Sequence, residues 1–132
     1  MKKLILLDRD GVINEHRPTY VREFDEFQWI HGSNSAITQL AKAELFLDVV
    51  TNQAGVGKGV IDPYVIRTIE NEILKSTGLM KKDIMKFYYC VHLPQDNCNC
   101  RKPKPGNLLA AMTFRNCTPQ QTIFVGDNIT DY

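Results

Sequence analysis

Four short apolar runs punctuate the chain, at residues 4–7, 45–51, 86–90 and 122–125. Each is rich in Leu, Ile, Val, Phe or Tyr and gives way to polar residues or glycine, the pattern of strands buried on both faces of a parallel sheet. Between them lies helical spacing. Residues 35–42 bring Ala36, Ile37, Leu40 and Ala41 to one face, and residues 63–76 do the same with Val65, Ile66, Ile69 and Ile73, behind Asp62 as N-cap. Residues 107–114 form a third predicted helix. Strand alternating with helix predicts an α/β fold, an open parallel sheet with flanking helices joined by right-handed crossovers. No repeat, low-complexity tract or Pro/Ser-rich linker divides the sequence, so residues 1–132 read as one domain.

In such sheets the ligand crevice lies at the carboxyl ends of the strands. The notable polar residues fall there: Asp8 and Asp10 after the first run, Thr51, Asn52 and Gln53 after the second, Arg101 and Lys102 after the third, Gly126 and Asp127 after the fourth. One site built from four strand ends is the economical reading.

Composition narrows the function. Sixteen basic and fifteen acidic residues leave a net charge of +1, which gives no electrostatic case for nucleic acid. The N-terminal "MKKLILLDRD" has too short an apolar run for a signal peptide or a membrane span, so a cytoplasmic protein is expected. In that compartment the four cysteines favour metal over disulfides.

Two aspartates in "LLDRDG" repel each other unless a cation or a shared proton intervenes. Asp8, Asp127 and the backbone carbonyl of Asp10 supply the oxygen donors that suit Mg²⁺. Beside that ion Asp8 is a feasible nucleophile toward phosphorus, and Asp10 can act as general acid and then as base. Thr51 and Asn52 can donate to phosphoryl oxygens, and Lys102 adds positive charge. Read alone, "DxDG", "TNQ" and "GDN" are ordinary turns after strands. Their joint placement at predicted strand ends carries the argument.

"CVHLPQDNCNC" supplies Cys90, His92, Cys98 and Cys100, three thiolates and one imidazole, the ligand count of a closed, structural zinc site. The loop has few apolar residues, so zinc would replace a missing core and aim Arg101 and Lys102 at the substrate. Cys117 lies outside the cluster and reads as a free thiol. His16 and His31 have no partner cluster and read as loop residues, while the segment after Asn14, with Glu15, His16 and Arg17, is where selectivity would lie.

"LLDRDGVIN", "VVTNQAGVGKG", "YYCVHLPQDNCNCRKPKPGNLL" and "FVGDNITD" resemble, in order and spacing, the four motifs of the haloacid dehalogenase superfamily of aspartate-nucleophile phosphatases. The similar branch is the histidinol-phosphatase and D-glycero-D-manno-heptose-1,7-bisphosphate 7-phosphatase family, on the strength of the cysteine loop fused to "RKPKPG". The resemblance implies a Rossmann-like fold without a large cap domain and with a zinc loop, residues 90–100, after the third strand. It implies Asp8 as nucleophile, Asp10 as acid/base and Mg²⁺ ligand, Asp127 as third Mg²⁺ ligand, Thr51 and Asn52 on the phosphoryl group with Lys102 stabilising it, Arg101 on the rest of the substrate, and Cys90, His92, Cys98 and Cys100 on zinc.

Members of that family continue past the fourth motif with a helix and a further strand, whereas this sequence is C-terminally short, ending at Tyr132. Asp131 then gives Asp127 or Lys102 only loose support. The 122–125 strand becomes a sheet edge, so homodimerisation or reduced stability is expected. The expected substrate is a small phosphorylated sugar or alcohol: the heptose bisphosphate first, histidinol phosphate as the alternative. A catalytically weakened domain that binds phosphorylated metabolites is the rival from another class.

Overall fold

The computed structural model describes residues 2–81 and 84–127. Its centre is a four-stranded parallel sheet of β1 (Lys3–Leu7), β2 (Leu45–Asn52), β3 (Phe87–Cys90) and β4 (Thr122–Val125), in the order β3-β2-β1-β4. The expected strands and helices are present, with their bounds shifted by two residues or fewer. The helices are α1 (Ser33–Ala41), α2 (Ala54–Gly57), α3 (Pro63–Thr77) and α4 (Gly106–Arg115). α2, a four-residue turn of helix, has no apolar periodicity to announce it.

Alternation along the strands divides the core in two. Leu7, Leu47 and Val49 face a layer built by Ile37 of α1 and by Ile69 and Ile73 of α3. Leu4, Leu6 and Val50 point the other way, against Ala111 of α4. α3 starts where Asp62 accepts the Tyr64 N–H at 2.9 Å and stops at Gly78, whose φ of 77° suits a residue without Cβ.

Asp48 is the exception in the middle of β2, a wholly buried carboxylate among apolar neighbours. Arg115 grips it bidentately, Nε to Oδ2 at 2.9 Å and Nη2 to Oδ1 at 2.6 Å, and the Lys86 N–H donates to Oδ1 at 2.9 Å. This bond ties the end of α4 to the sheet. Because the loss of one partner strands a buried charge, Arg115→Ala is expected to cost about 3–5 kcal/mol, whereas an apolar pair such as Asp48→Leu with Arg115→Met is expected near neutral. Urea midpoints check both; an unchanged midpoint for Arg115→Ala would refute the role given to the pair.

Candidate active site

The loop that leaves β1 is wound tightly by its own backbone. The Arg9 carbonyl accepts from the N–H groups of Val12, Ile13 and Asn14, and the Gly11 N–H donates to the Asn14 carbonyl at 2.7 Å. Asn14 then bridges to Trp29, so residues 15–28 form a flap closed at its base by that bridge. Phe27 and Trp29 anchor its base edge to face, with centroids 5.3 Å apart.

A cleft of about 530 Å³ opens at the carboxyl ends of the strands. Asp8 and Asp10 reach it from β1, Thr51 and Asn52 from β2, Arg101 and Lys102 from the cysteine loop, and Asp127 from the end of β4. All seven residues expected from the sequence to hold the magnesium ion, the phosphoryl group and the rest of the substrate therefore share one cavity. His16, Arg17, Pro18 and Tyr20 of the flap and Ala54 complete the wall. Of the segment after Asn14 in which selectivity is expected, His16 and Arg17 thus line the cleft, while Glu15 is not among the lining residues. Asp131 lies outside the described residues.

Each carboxylate of the pair has its own cation. Lys102 Nζ sits 3.2 Å from Asp8 Oδ1, which also accepts the Arg9 N–H at 2.7 Å. Asp10 Oδ1 instead takes Arg9 Nε at 3.1 Å and Nη2 at 2.9 Å. Mutual repulsion is relieved by a separate opposite charge on each.

Lys102 is buried and held at its backbone by Asn52: the Lys102 N–H donates to Asn52 Oδ1 at 3.1 Å, and Asn52 Nδ2 donates to the Lys102 carbonyl at 3.4 Å. The Asn52 amide therefore serves first as a clamp across 50 residues of sequence, in addition to the phosphoryl contact expected of it. Arg101 lines the cleft, and its Nη1 is buried with no hydrogen-bond partner among the described residues.

Asp127 is seated on Gly11. A Cβ at Gly11 would overlap the Asp127 carboxylate, and the φ of +88° is one that L side chains rarely adopt. Gly11→Ala is expected to displace Asp127 and cut turnover by about a hundredfold, the scale of an ångström-level misplacement in an active site. A variant with unaltered kcat and unaltered magnesium dependence would contradict this.

At the outer end of β3 the four cluster ligands converge, all ligand atoms lying within 4.8 Å of one another. Cys90 Sγ is 3.6 Å from both His92 Nδ1 and Cys98 Sγ, and His92 Nδ1 is 3.2 Å from Cys100 Sγ. Around a tetrahedral zinc with bonds of about 2.3 Å to sulfur and 2.0–2.1 Å to nitrogen, neighbouring ligand atoms stand roughly 3.5–3.8 Å apart, which the two 3.6 Å spacings match and the 3.2 Å one falls short of; the Cys90–Cys98 separation is too long for a disulfide. Burial pushes the Cys90 thiol up to about 12, helped by the neighbouring Cys100 thiol. Burial opposes charge on Cys98 too, but the N–H groups of Arg101 and Cys100 outweigh it and bring that thiol down to about 6. The loop closes where the Gly106 N–H meets the Asn99 carbonyl at 2.8 Å, a contact that leaves no room for a Cβ.

No family model matches the chain. A curated relative from Pasteurella multocida, named D-glycero-beta-D-manno-heptose-1,7-bisphosphate 7-phosphatase, is 39% identical over 145 residues, which cover 99% of this chain and 74% of the relative. The chain belongs to this phosphatase family. The crystal structure of D,D-heptose 1,7-bisphosphate phosphatase from B. bronchiseptica, complexed with magnesium and phosphate, superposes with a TM-score of 0.90 at 32% identity, over 98% of this chain and 72% of that one. A HAD-superfamily hydrolase from Geobacter sulfurreducens matches with a TM-score of 0.62 at 14% identity, over 99% of this chain and 82% of that one, and shares the fold. The protein is thus a HAD-type phosphatase of the heptose bisphosphate family, and its β3-β2-β1-β4 sheet is the HAD core.

The residues sequence reasoning passed over, Arg9 and Asn14, lie beneath the cleft; with Gln53, expected at the end of β2 but given no role, they touch the Asp10 carboxylate, and all three are almost wholly buried. Their signal was present in "DRDGVIN" and "TNQ": polar side chains set next to buried strands must find partners.

Proposed function

We propose that this protein removes the 7-phosphate of D-glycero-D-manno-heptose 1,7-bisphosphate through an aspartyl-phosphate on Asp8, with Mg²⁺ in the cleft and Zn²⁺ in the cysteine loop. The single observation that carries this reading is the meeting of Asp8, Asp10, Asp127 and Lys102 in one cleft at the ends of β1 and β4. It is supported by the name of the curated relative and by the magnesium and phosphate in the B. bronchiseptica crystal.

The donor set fits magnesium. The carboxylates of Asp8 and Asp127 and the Asp10 carbonyl are hard oxygen donors, and the missing Cβ of Gly11 lets Asp127 approach the Asp8–Asp10 loop. When bound, the ion would shield the negative charge of the phosphate and of the attacking carboxylate.

The remaining roles belong to the side chains. An Asp8 carboxylate oxygen attacks phosphorus while Lys102, 3.2 Å away, stays beside it to attract the phosphoryl oxygens. Asp10 protonates the leaving sugar oxygen and then deprotonates the water that hydrolyses the acyl-phosphate. Thr51 and Asn52 orient the phosphoryl group, and Arg101 engages the rest of the sugar phosphate. His16 and Arg17 of the flap line the same cleft and set selectivity.

In this reading residues 1–132 act as one phosphatase domain. Among the described residues no helix is long and apolar enough to cross a membrane. The proposed setting is the cytoplasm, where thiols stay reduced for zinc. At the edge of the described sheet β4 exposes Ile123 and Val125, and the proposed homodimer pairs there, which light scattering would register as twice the chain mass.

Phosphate release from the heptose bisphosphate, from histidinol phosphate and from a panel of hexose phosphates tests the function. Magnesium-dependent release with the highest kcat/KM on the heptose bisphosphate is expected. A higher kcat/KM on histidinol phosphate would move the assignment to that substrate, and binding without release would leave a phosphometabolite-binding domain.

A further inference from the structure

We propose that Arg9 and Asn14 are positioning residues that reserve Oδ2 of Asp10 for the proton the reaction moves, an inference that rests on the phosphatase chemistry above. The two carboxylate oxygens of Asp10 have unequal surroundings. Oδ1 accepts three N–H groups: Arg9 Nε at 3.1 Å, Arg9 Nη2 at 2.9 Å and Asn14 Nδ2 at 2.9 Å. Oδ2 accepts one among the described residues, Gln53 Nε2 at 3.1 Å. A proton on Oδ1 would face three donors and find no acceptor, whereas a proton on Oδ2 leaves every one of those bonds intact.

The protein has put considerable free energy into this arrangement. Arg9 is only 1% exposed, and burying a guanidinium is costly unless it is paired and hydrogen-bonded. Its Nη1 has no partner among the described residues, while Nε and Nη2 are both committed to one oxygen of Asp10. A guanidinium buried for packing or for bulk charge balance would not need both donors on the same atom. Asn14 reaches that atom because the Arg9 carbonyl winds the loop and Asn14 is pinned by its bridge to Trp29. On the other side, Gln53 Nε2 also lies 3.1 Å from Thr51 Oγ1, so the β2 end fixes the amide that marks Oδ2.

The chemistry balances on that oxygen. In the first step a P–O bond forms to Asp8, the bond from phosphorus to the sugar oxygen breaks with its electron pair on the sugar oxygen, and the proton on Asp10 Oδ2 passes to that oxygen. In the second step Asp10 Oδ2 takes a proton from water as the water oxygen bonds to phosphorus, the Asp8–phosphorus bond breaks, and the Asp8 carboxylate is restored. Oδ1 remains unprotonated throughout, locked by Arg9 and Asn14.

An acid that is poorly aimed matters for a poor leaving group and hardly at all for a good one. First-turnover rates on the heptose bisphosphate and on p-nitrophenyl phosphate therefore separate positioning from general structural damage. Arg9→Met and Asn14→Leu are expected to slow the sugar substrate by about a hundredfold, the scale of general acid catalysis, with KM and the burst of nitrophenolate little changed. Arg9→Lys, which keeps a cation and a donor, is expected to recover part of the loss. Equal losses on both substrates would overturn the inference and leave the phosphatase reading standing; a wild-type protein that releases phosphate from neither substrate would overturn the reading itself. If the Arg9 and Asn14 variants do not fold, the intact protein decides: an arginine Nε–H NMR signal protected from exchange and shifted by Asp10→Asn supports the lock, and the absence of such a shift refutes it.

Discussion

Asp8→Asn is expected to abolish turnover, with a fall in kcat of about four orders of magnitude or more, the scale seen when one member of a covalent catalytic unit is removed. The substitution is nearly isosteric. The amide oxygen can still accept the Arg9 N–H that Asp8 Oδ1 takes at 2.7 Å, so the loop after β1 should keep its shape. What is lost is the negative charge beside Lys102 and a nucleophile able to form an acyl-phosphate. Steady-state kinetics on the heptose bisphosphate, with thermal unfolding as a control for folding, checks this. A correctly folded Asn variant with retained activity would rule out attack by Asp8.

Loss of the metal from the cysteine cluster is the second large effect. The segment between Cys90 and Cys100 offers the core little beyond Val91 and Leu93, and its only regular structure is a 3-10 turn at Pro94–Asp96. Four ligand atoms gathered within 4.8 Å of one another, able to close on one metal ion, substitute for that core. The cluster also leads directly into Arg101 and Lys102, so its collapse releases the lysine that faces Asp8. One equivalent of zinc per chain is expected by metal analysis. Cys100→Ser, or prolonged treatment with a strong zinc chelator, is expected to open the loop to proteases and to reduce kcat by about a hundredfold through misplacement of Lys102. Full activity in metal-free protein would show that the loop holds itself.

The fold was legible because strands buried on both faces leave uninterrupted apolar runs, and because the open α/β topology puts their carboxyl ends together. That rule alone brought Asp8, Thr51 and Asp127 to one crevice; Lys102 reaches it through the cysteine loop. The cysteine cluster was legible for another reason: soft ligands repeated at short spacing have few other uses. Burial of polar groups was not legible. An arginine between two aspartates reads as a surface charge, yet Arg9 lies beneath the cleft, and its role depends on a carboxylate only one residue away. Gln53 meets Asp10 across 43 residues, a pairing fixed by strand register, which periodicity cannot supply. Asn52 shows the same limit: its placement at a strand end was expected, but not its grip on the backbone of Lys102.

The flap illustrates how local chemistry and topology combine. Its residues carry no periodic pattern, but Phe27 and Trp29 return it to the core and thereby bring His16, Arg17 and Tyr20 over the cleft. Tyr20 holds a φ of 69°, and Lys58 Nζ meets its hydroxyl at 2.5 Å, so the flap is tied to the segment after α2 as well.

Attack by Asp8 is tested by quenching the magnesium-loaded protein with acid during turnover of the heptose bisphosphate and mapping the phosphoryl group by mass spectrometry. One phosphoryl group is expected on the peptide that contains Asp8, sensitive to hydroxylamine and absent from Asp8→Asn. Turnover at full rate with the phosphoryl group on a different side chain would contradict attack by Asp8.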